Sequence, residues 1–243
     1  ADEVGVLREP HVGAVGAVSR RSMGVVGSVA YWMSRRGFYI YNGFTQAIDC
    51  PLGDAVFSDL NENQLSKIWC ETRQEFGEVT WHYPSADATE CDKSVTYNFE
   101  EGFWYNNTVA RTAGEDRGAM PYPVAFAPTG TLWQHEIGSS YGAGVTPTAI
   151  SGPLEIGKGD RIMDIQSIIP DEKTLGDVDI YLLSAFYTTE AGTSAETSNG
   201  PFTPGNPTDM RVIGRQVRLK ITQDQPGWRI GSIRADVEAG GER

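Results

Sequence analysis

Histidine, cysteine and basic residues are all scarce in this 243-residue chain, and each scarcity removes a class of function. The only histidines are His11, His82 and His135, no two of them close in sequence, and no Gly-x-Ser-x-Gly elbow accompanies them, so a hydrolytic triad has no visible seed. His82 and His135 alternate with Trp81 and Trp133 in strand-like runs, where we expect a solvent-facing or hydrogen-bonded imidazole and not a general base. Cys50, Cys70 and Cys91 stand far apart without a Cys-x-x-Cys pair or a nearby histidine pair, which points to neither a zinc site nor a disulfide framework but to reduced, mostly buried thiols. Lysine and arginine number 20 against 32 acidic residues, and the resulting charge of -12 excludes a protein that wraps nucleic acid by neutralising phosphates. An acidic surface still lets DNA pass without sticking.

Other absences narrow the field further. There is no Walker A sequence and no Gly-x-Gly-x-x-Gly opening a helix, so nucleotide binding has no support. No window approaches the roughly 20 consecutive apolar residues of a membrane-spanning helix. The opening ADEVGVLREPHVG lacks the basic-then-apolar order of a secretory signal, and a soluble chain is expected. Because the chain begins at Ala1 without methionine, we expect a processed polypeptide or, in preference, a piece of a longer one whose beginning is absent. With 40% hydrophobic and 21% charged residues, the sequence holds enough apolar mass for one large or two ordinary domains.

What the chain has in quantity is aromatic hairpin sequence. In GVVGSVAYWMSRRGFYIYNGFTQAI, residues 24 to 48, Val29, Tyr31 and Met33 alternate with Ala30 and Trp32, Gly37 ends a basic turn, and Phe38 to Tyr41 run back. Asn42-Gly43 supplies a type I′ turn signal, which predicts a third strand carrying Phe44, Gln46 and Ile48. The same grammar returns in GEVTWHYPS, where Val79, Trp81 and Tyr83 share a face, and in KSVTYNFEEGFWYNN, where a strand with Val95, Tyr97 and Phe99 turns at Glu101-Gly102. A further hairpin, PVAFAPTGTLWQHE, turns at Pro128-Thr129-Gly130. Aligning Gly37, Gly102 and Gly130 presents three degenerate blade repeats.

Between the first two lies DLNENQLSKIWCETRQEFG, in which Leu65, Ile68, Trp69, Thr72 and Phe76 fall on one helical stripe. Asp59 with Glu62 reads as a capping box and Gly77 as a left-handed stop, so the spacing predicts an inserted helix over 61–76. Removing it leaves a repeat interval near that of a propeller blade. After residue 140 the texture changes to strand-like runs at LEIG, RIMDIQSIIP, DVDIYLLSAFYTT, RVIGRQVRLKIT and WRIGSIRADVE, spaced as in a sandwich. The expectation is therefore an all-β chain: β-propeller-like hairpin repeats with one inserted helix over 1–140, then a β-sandwich-like domain over 141–243. Within the latter, Thr188 to Asp209 is polar and rich in Gly, Pro and Ser, and reads as a long flexible loop at 188–209.

Candidate site residues are few. Asp87, Glu90 and Asp92 in the loop 85–93 offer oxygen ligands at short spacing, yet the EF-hand glycine and terminal glutamate are missing and a solvated hairpin loop is expected in place of a calcium site. Glu100 and Glu101 are adjacent on a strand and point to opposite faces, which defeats a glycosidase carboxylate pair. Pro128 to Trp133, PTGTLW, resembles the aspartate-box turn of sialidase propellers without its aspartate, which leaves only hairpin geometry in common. No catalytic, cofactor-binding or metal-binding set is assigned, and no enzymatic activity is expected.

The order of segments carries a resemblance. SVAYWMSRRGFYIYNG, then CPLGDAVFSDLNENQLSKIWCETRQEFGEVTWHYPSAD, then DKSVTYNFEEGFWYNNTVARTAGEDRG, and finally GRQVRLKITQDQPGWRIGSIRADVE together resemble the C-terminal part of the tail tube or nozzle proteins of short-tailed, podovirus-type bacteriophages. The similarity is strongest over residues 28 to 137 and 211 to 238. It implies a virion structural protein of the tail, assembled as a ring, by expectation a hexamer, beneath the portal and adaptor, with phage DNA leaving through its lumen and tail fibres docking on it. No catalytic residue and no cofactor is implied. Two other classes stay open: a glycan- or receptor-binding propeller of a phage tail, using exposed Trp and Tyr as sugar platforms, and a propeller hydrolase, which needs carboxylates converging in a central pocket.

Overall fold

A computed structural model describes residues 15–137, 146–171, 173–174, 176, 178–187, 196–203, 208–223 and 228–242. The chain is all-β and divides into two compact units, Ala1–Ile137 and Gly138–Arg243. In the first unit, β1 (Met23–Val26), β2 (Val29–Met33), β3 (Phe38–Tyr41) and β4 (Thr45–Ile48) form a four-stranded antiparallel meander, which we call blade 1. A short helix α1 (Gly53–Ser58) follows, then β5 (Trp69–Arg73), β6 (Glu78–Tyr83), β7 (Lys93–Asn98) and β8 (Phe103–Asn107), a second four-stranded meander, blade 2. Three shorter strands, β9 (Ala113–Glu115), β10 (Val124–Phe126) and β11 (Leu132–Gln134), make blade 3.

The first strands of the three blades are neighbours. Arg21, just before β1, runs parallel to Trp69 of β5, with the Cys70 N–H donating to the Arg21 carbonyl over 2.7 Å. On its other side β5 packs against β9. Consecutive meanders joined side by side through their first strands are the arrangement of propeller blades around an axis. Two glycines allow this approach, because a Cβ on Gly24 would meet Thr72 Cγ2 at 2.7 Å and one on Gly114 would meet Trp69 Cη2 at 2.8 Å. Each faces β5, from opposite sides.

Blade 2 is consequently covered on both faces. Val79, Trp81 and Tyr83 point toward blade 1 into a core with Tyr31, Met33, Phe38, Val56, Leu65 and Ile68. Aromatic rings dominate it: Phe38 lies 4.9 Å from Trp81 and 4.8 Å from Trp104 between ring centroids, and Tyr31 stacks on Phe99 at 5.7 Å. The polar ends of these rings are satisfied, since Trp81 Nε1 donates to the Ser22 carbonyl and Trp104 Nε1 to that of Asp49. Thr80 and His82, the alternate residues of β6, are buried too, Thr80 bonded to Thr96 of the same blade and His82 stacked on Trp69.

Several expectations change in detail. The helix expected over 61–76 is replaced by a 3₁₀ turn at Glu62–Lys67, strand β5, and a second 3₁₀ turn at Gln74–Phe76. Asn61, whose Oδ1 accepts from the Asn63 N–H, starts the first turn, while Asp59 ion-pairs with Lys93 at 2.7 Å. The apolar spacing is compatible with a helix, but pairing Trp69 through Arg73 with β6 buries Trp69 and Glu71, which no single-helix stripe achieves. Gly77 does adopt the left-handed conformation, at φ 65°. The loop after β3 holds three residues, with Tyr41 opposite Thr45, and only Gly43 in it takes a positive φ, so the two-residue type I′ turn is not formed. Phe44 is left exposed in that loop. Gly37 and Gly102 occupy non-equivalent turns, between the second and third strands of one blade and the third and fourth of the next. The repeat is real at the level of sheets and not at the level of that glycine alignment.

The second unit holds two sheets over one core. β12 (Thr148–Ile150), β13 (Leu154–Glu155), β15 (Asp179–Ala185), β16 (Thr197–Phe202) and β18 (Gln216–Thr222) form one; β14 (Arg161–Pro170), β17 (Thr208–Gly214) and β19 (Ile233–Glu242) form the other. Met163, Ile165 and Ile168 of β14 and Met210 and Val212 of β17 share that core with Ile180, Leu182 and Val217 from the first sheet, a sandwich-like arrangement. The long loop expected at 188–209 is interrupted by β16, which pairs with β15, while 188–195 and 204–207 lie outside the described residues. Its composition misleads because backbone pairing, an Asn199 Nδ2 bond to the Leu182 carbonyl and the packing of Phe202 stabilise it, not a run of apolar side chains.

Candidate functional site

The acidic loop does not converge on a common point. Asp92 accepts from the Ser85 N–H at 2.8 Å and from its hydroxyl at 2.7 Å, and Glu90 pairs with Lys67 at 2.5 Å. Among the described residues no cluster of three His, Cys, Asp or Glu side chains is placed to hold a metal ion. Glu100 and Glu101 sit in the β7–β8 turn, where their N–H groups donate to Asn98 Oδ1. The thiols of Cys50 and Cys91 are pushed up by burial to about 11 and about 12, which leaves them protonated near neutral pH.

Chemistry concentrates between blade 2 and blade 3. Strand alternation puts Trp69, Glu71 and Arg73 on the face of β5 that looks toward blade 3, and His82 lies opposite Trp69 on β6. The His82 ring is buried and stacks on Trp69, with centroids 4.2 Å apart and planes 6° from parallel. Its Nε2 lies 3.7 Å from Glu71 Oε1, too long for a hydrogen bond, and neither ring nitrogen has a hydrogen-bond partner among the described residues. Arg73 holds Glu71 through Nε at 3.0 Å and reaches Glu136 through Nη1 at 2.9 Å. Burial opposes ionisation of Glu71, but the adjacent His82 and Arg73 outweigh it and hold the carboxyl down at about 2.

From blade 3 come Arg111, His135 and Glu136. Arg111 Nε donates to His135 Nε2 over 3.0 Å, which requires a neutral imidazole, and the Trp69 indole N–H donates to the Arg111 carbonyl. Burial first, then the positive charges of Arg111 and Arg73, depress His135 to about 4. The guanidinium of Arg111 lies 5.7 Å from the Trp133 ring centroid. Next to this cluster Glu78 accepts from Tyr105 Oη at 2.9 Å, and burial raises the Glu78 carboxyl despite that bond. The assembly is an inter-blade ionic network in which an imidazole this weakly basic accepts a hydrogen bond.

The strand pattern sets His82 and His135 apart; the structure brings both into one electrostatic network, His82 buried and His135 half-buried. His11 lies outside the described residues. Glu71, Arg73, Arg111 and Glu136 were missed altogether. The available signal was the alternation Trp69-x-Glu71-x-Arg73, hidden by assigning that stretch to a helix.

Two further surface features belong to blades 1 and 3. A cavity of about 560 Å³ opens on blade 1, lined among others by Arg36, Tyr39, Asp49, Asp54 and Phe57. The faces of the outer two blades that turn away from blade 2 carry exposed apolar side chains, Met23 and Val25 on β1 and Phe126 and Leu132 on the paired β10 and β11.

No protein-family model and no curated protein matches the chain. Among solved structures it is similar to an exo-β-1,3-galactanase from Phanerochaete chrysosporium with bound galactose, at 11% identity over 86% of this chain and a TM-score of 0.24. A variant of that enzyme with β-1,3-galactotriose matches at 12% identity and a TM-score of 0.23. The chain spans 65% of the length of these galactanase chains. Their being enzymes corrects the expectation that this chain has no enzymatic activity, and that exclusion is withdrawn. At such TM-scores the likeness carries no argument for a galactanase reaction here.

Proposed function

We propose that this chain is a structural protein of a bacteriophage virion, a subunit of the tail nozzle or tube of a short-tailed phage, located in the tail. The observation that carries this reading is the order of aromatic hairpin segments, resembling nozzle proteins, together with their folding into successive blades of one arc. Copies assemble in a closed, sixfold ring below the tail adaptor and portal-proximal proteins, a heterologous contact that returns on itself. The exposed Met23, Val25, Phe126 and Leu132 support subunit contacts, since unpaired apolar faces are costly to leave in water. The charge of -12 suits a lumen that guides DNA without gripping it, because each neutralised phosphate would hold the strand. Loops on these rigid sheets are the places for tail fibres to dock.

Cryo-electron microscopy of the assembled particle tests this. A ring of copies with an acidic or neutral lumen is expected. A monomer at the outer tip of a fibre, or a channel lined by lysine and arginine with DNA bound tightly, overturns it. A second reading, a glycan-binding propeller of a phage tail, is favoured by the blade 1 cavity, where Tyr39 stands beside Arg36, Asp49 and Asp54. Binding of oligosaccharides in a glycan array, lost in Tyr39→Ala, would support it over the ring.

A further inference from the structure

We infer that His135 and Glu136 form an acid-released clasp that fastens the end of blade 3 to blade 2, and that adding a proton to His135 opens it. Each half of the clasp joins residues distant in sequence. Arg73 Nη1 of blade 2 donates to Glu136 Oε1 at 2.9 Å. Within blade 3 Arg111 Nε donates to His135 Nε2 at 3.0 Å, which ties the end of the blade to its start, itself anchored on blade 2 by the Trp69 indole N–H donating to the Arg111 carbonyl. The backbone between them is held in an unfavourable state, since Glu136 sits at φ 56°, in the left-handed region that residues with a Cβ seldom adopt. The Arg73 contact, the Arg111 bond to His135 and the His135 N–H bond to the Pro123 carbonyl, at 2.8 Å, oppose relaxation there.

A proton on His135 acts on this arrangement in two ways. It removes the lone pair that Arg111 uses, and it places a cation among cations. The charged and titratable groups around His135 are Arg111 from the segment before β9, Glu71 and Arg73 from β5, His82 from β6, and Glu136 beside it; Glu78 of β6 and Tyr105 of β8 border Arg73. The nearest of these, Arg111, is its hydrogen-bond donor and cannot become an acceptor. The carboxylate of Glu71 is already engaged by Arg73, so it does not offset the new charge in full.

The test uses the whole chain. Proton and nitrogen NMR of His135 is followed from about pH 7 to about pH 3 together with hydrogen exchange at the amides of Trp133 to Glu136, corrected for the intrinsic pH dependence. Expected are a His135 midpoint near 4, loss of the Arg111 Nε–H signal in that step, and a drop in protection of about tenfold. His135→Gln, which keeps an acceptor that does not titrate, is expected to hold its protection through the same range, and Glu136→Gln to lose part of it already at neutral pH. A His135 midpoint near the ordinary 6.5, unchanged protection across the wild-type titration, or a His135→Gln chain that opens with the same pH dependence would each overturn the clasp. The wild-type titration decides even if a variant fails to fold.

Discussion

The two faces of blade 2 are held by opposite kinds of chemistry. Toward blade 1 the contact is a ring-on-ring core, with Trp81 and Phe38 wholly buried. Toward blade 3 the contact is Trp69 and His82 over a network of Glu71, Arg73, Arg111, His135 and Glu136. Burial of apolar area is indifferent to pH and gains from salt, whereas partly solvated charge pairs respond to both. One β-meander thus has a permanent side and a conditional side.

The largest effect expected to break this comparison comes from the permanent side. Trp81→Ala removes a fully buried ring that touches Phe38 and Trp104 and takes from the Ser22 carbonyl one of its two donors, the other being the Met33 N–H. A loss of about 4 kcal/mol is expected, from the cavity and the lost transfer term together. Urea denaturation followed by tryptophan fluorescence measures it, and a loss below about 1 kcal/mol would mean that blades 1 and 2 are not a single packed body.

On the conditional side, Glu71→Ala strips Arg73 and His82 of the carboxylate between them in a nearly solvent-free setting, its side chain being 7% exposed. Removing one member of a buried charge pair costs about 3 kcal/mol, mostly because the other is left uncompensated. The loss should shrink in Glu71→Gln, which retains an acceptor for Arg73. Equal losses in the two variants would show that shape, not charge, is what Glu71 contributes.

The same contrast explains what could be read beforehand. Strands such as Val29–Met33 and Lys93–Asn98 were legible because their own residues alternate, and turn glycines such as Gly102 and Gly130 mark their ends. Strand Met23–Val26 was not, since a short piece centred on Gly24 owes its place to the approach of Cys70 and Thr72 from another blade. Strand Trp69–Arg73 was misread because Glu71 and Arg73 look like solvent-facing positions until blade 3 covers them. The ionic network was invisible for a related reason: Arg111 and His135 reach blade 2 only through tertiary contacts, and no spacing within the sequence announces which histidine an arginine will find. Apolar contacts imprint a local pattern; this charge network did not.

The smallest expected effect, and the one that sharpens the comparison most, is a pH dependence confined to one side. His135 has a folded-state pKa of about 4 against 6.5 ordinarily, so between these values the unfolded chain binds the proton and the folded chain does not. Its contribution is therefore fully present above about pH 6.5 and is lost as pH falls toward 4. A full shift of that size would correspond to roughly 3 kcal/mol, but His135 is only half-buried and solvent screening reduces the figure to about 1 kcal/mol. Glu71 acts in a lower window, because a carboxyl held at about 2 against 4.5 contributes stability above pH 4.5 that disappears as pH falls toward 2. Melting curves of the wild type and His135→Gln should accordingly diverge between pH 7 and 4 by a few degrees, with the wild type losing more, and run parallel below. Trp81→Ala should shift every point of the wild-type curve down without changing its slope against pH. If His135→Gln instead tracks the wild type through the upper window, the conditional side is held by Glu71 and Arg73 alone, and the imidazole is a bystander to stability.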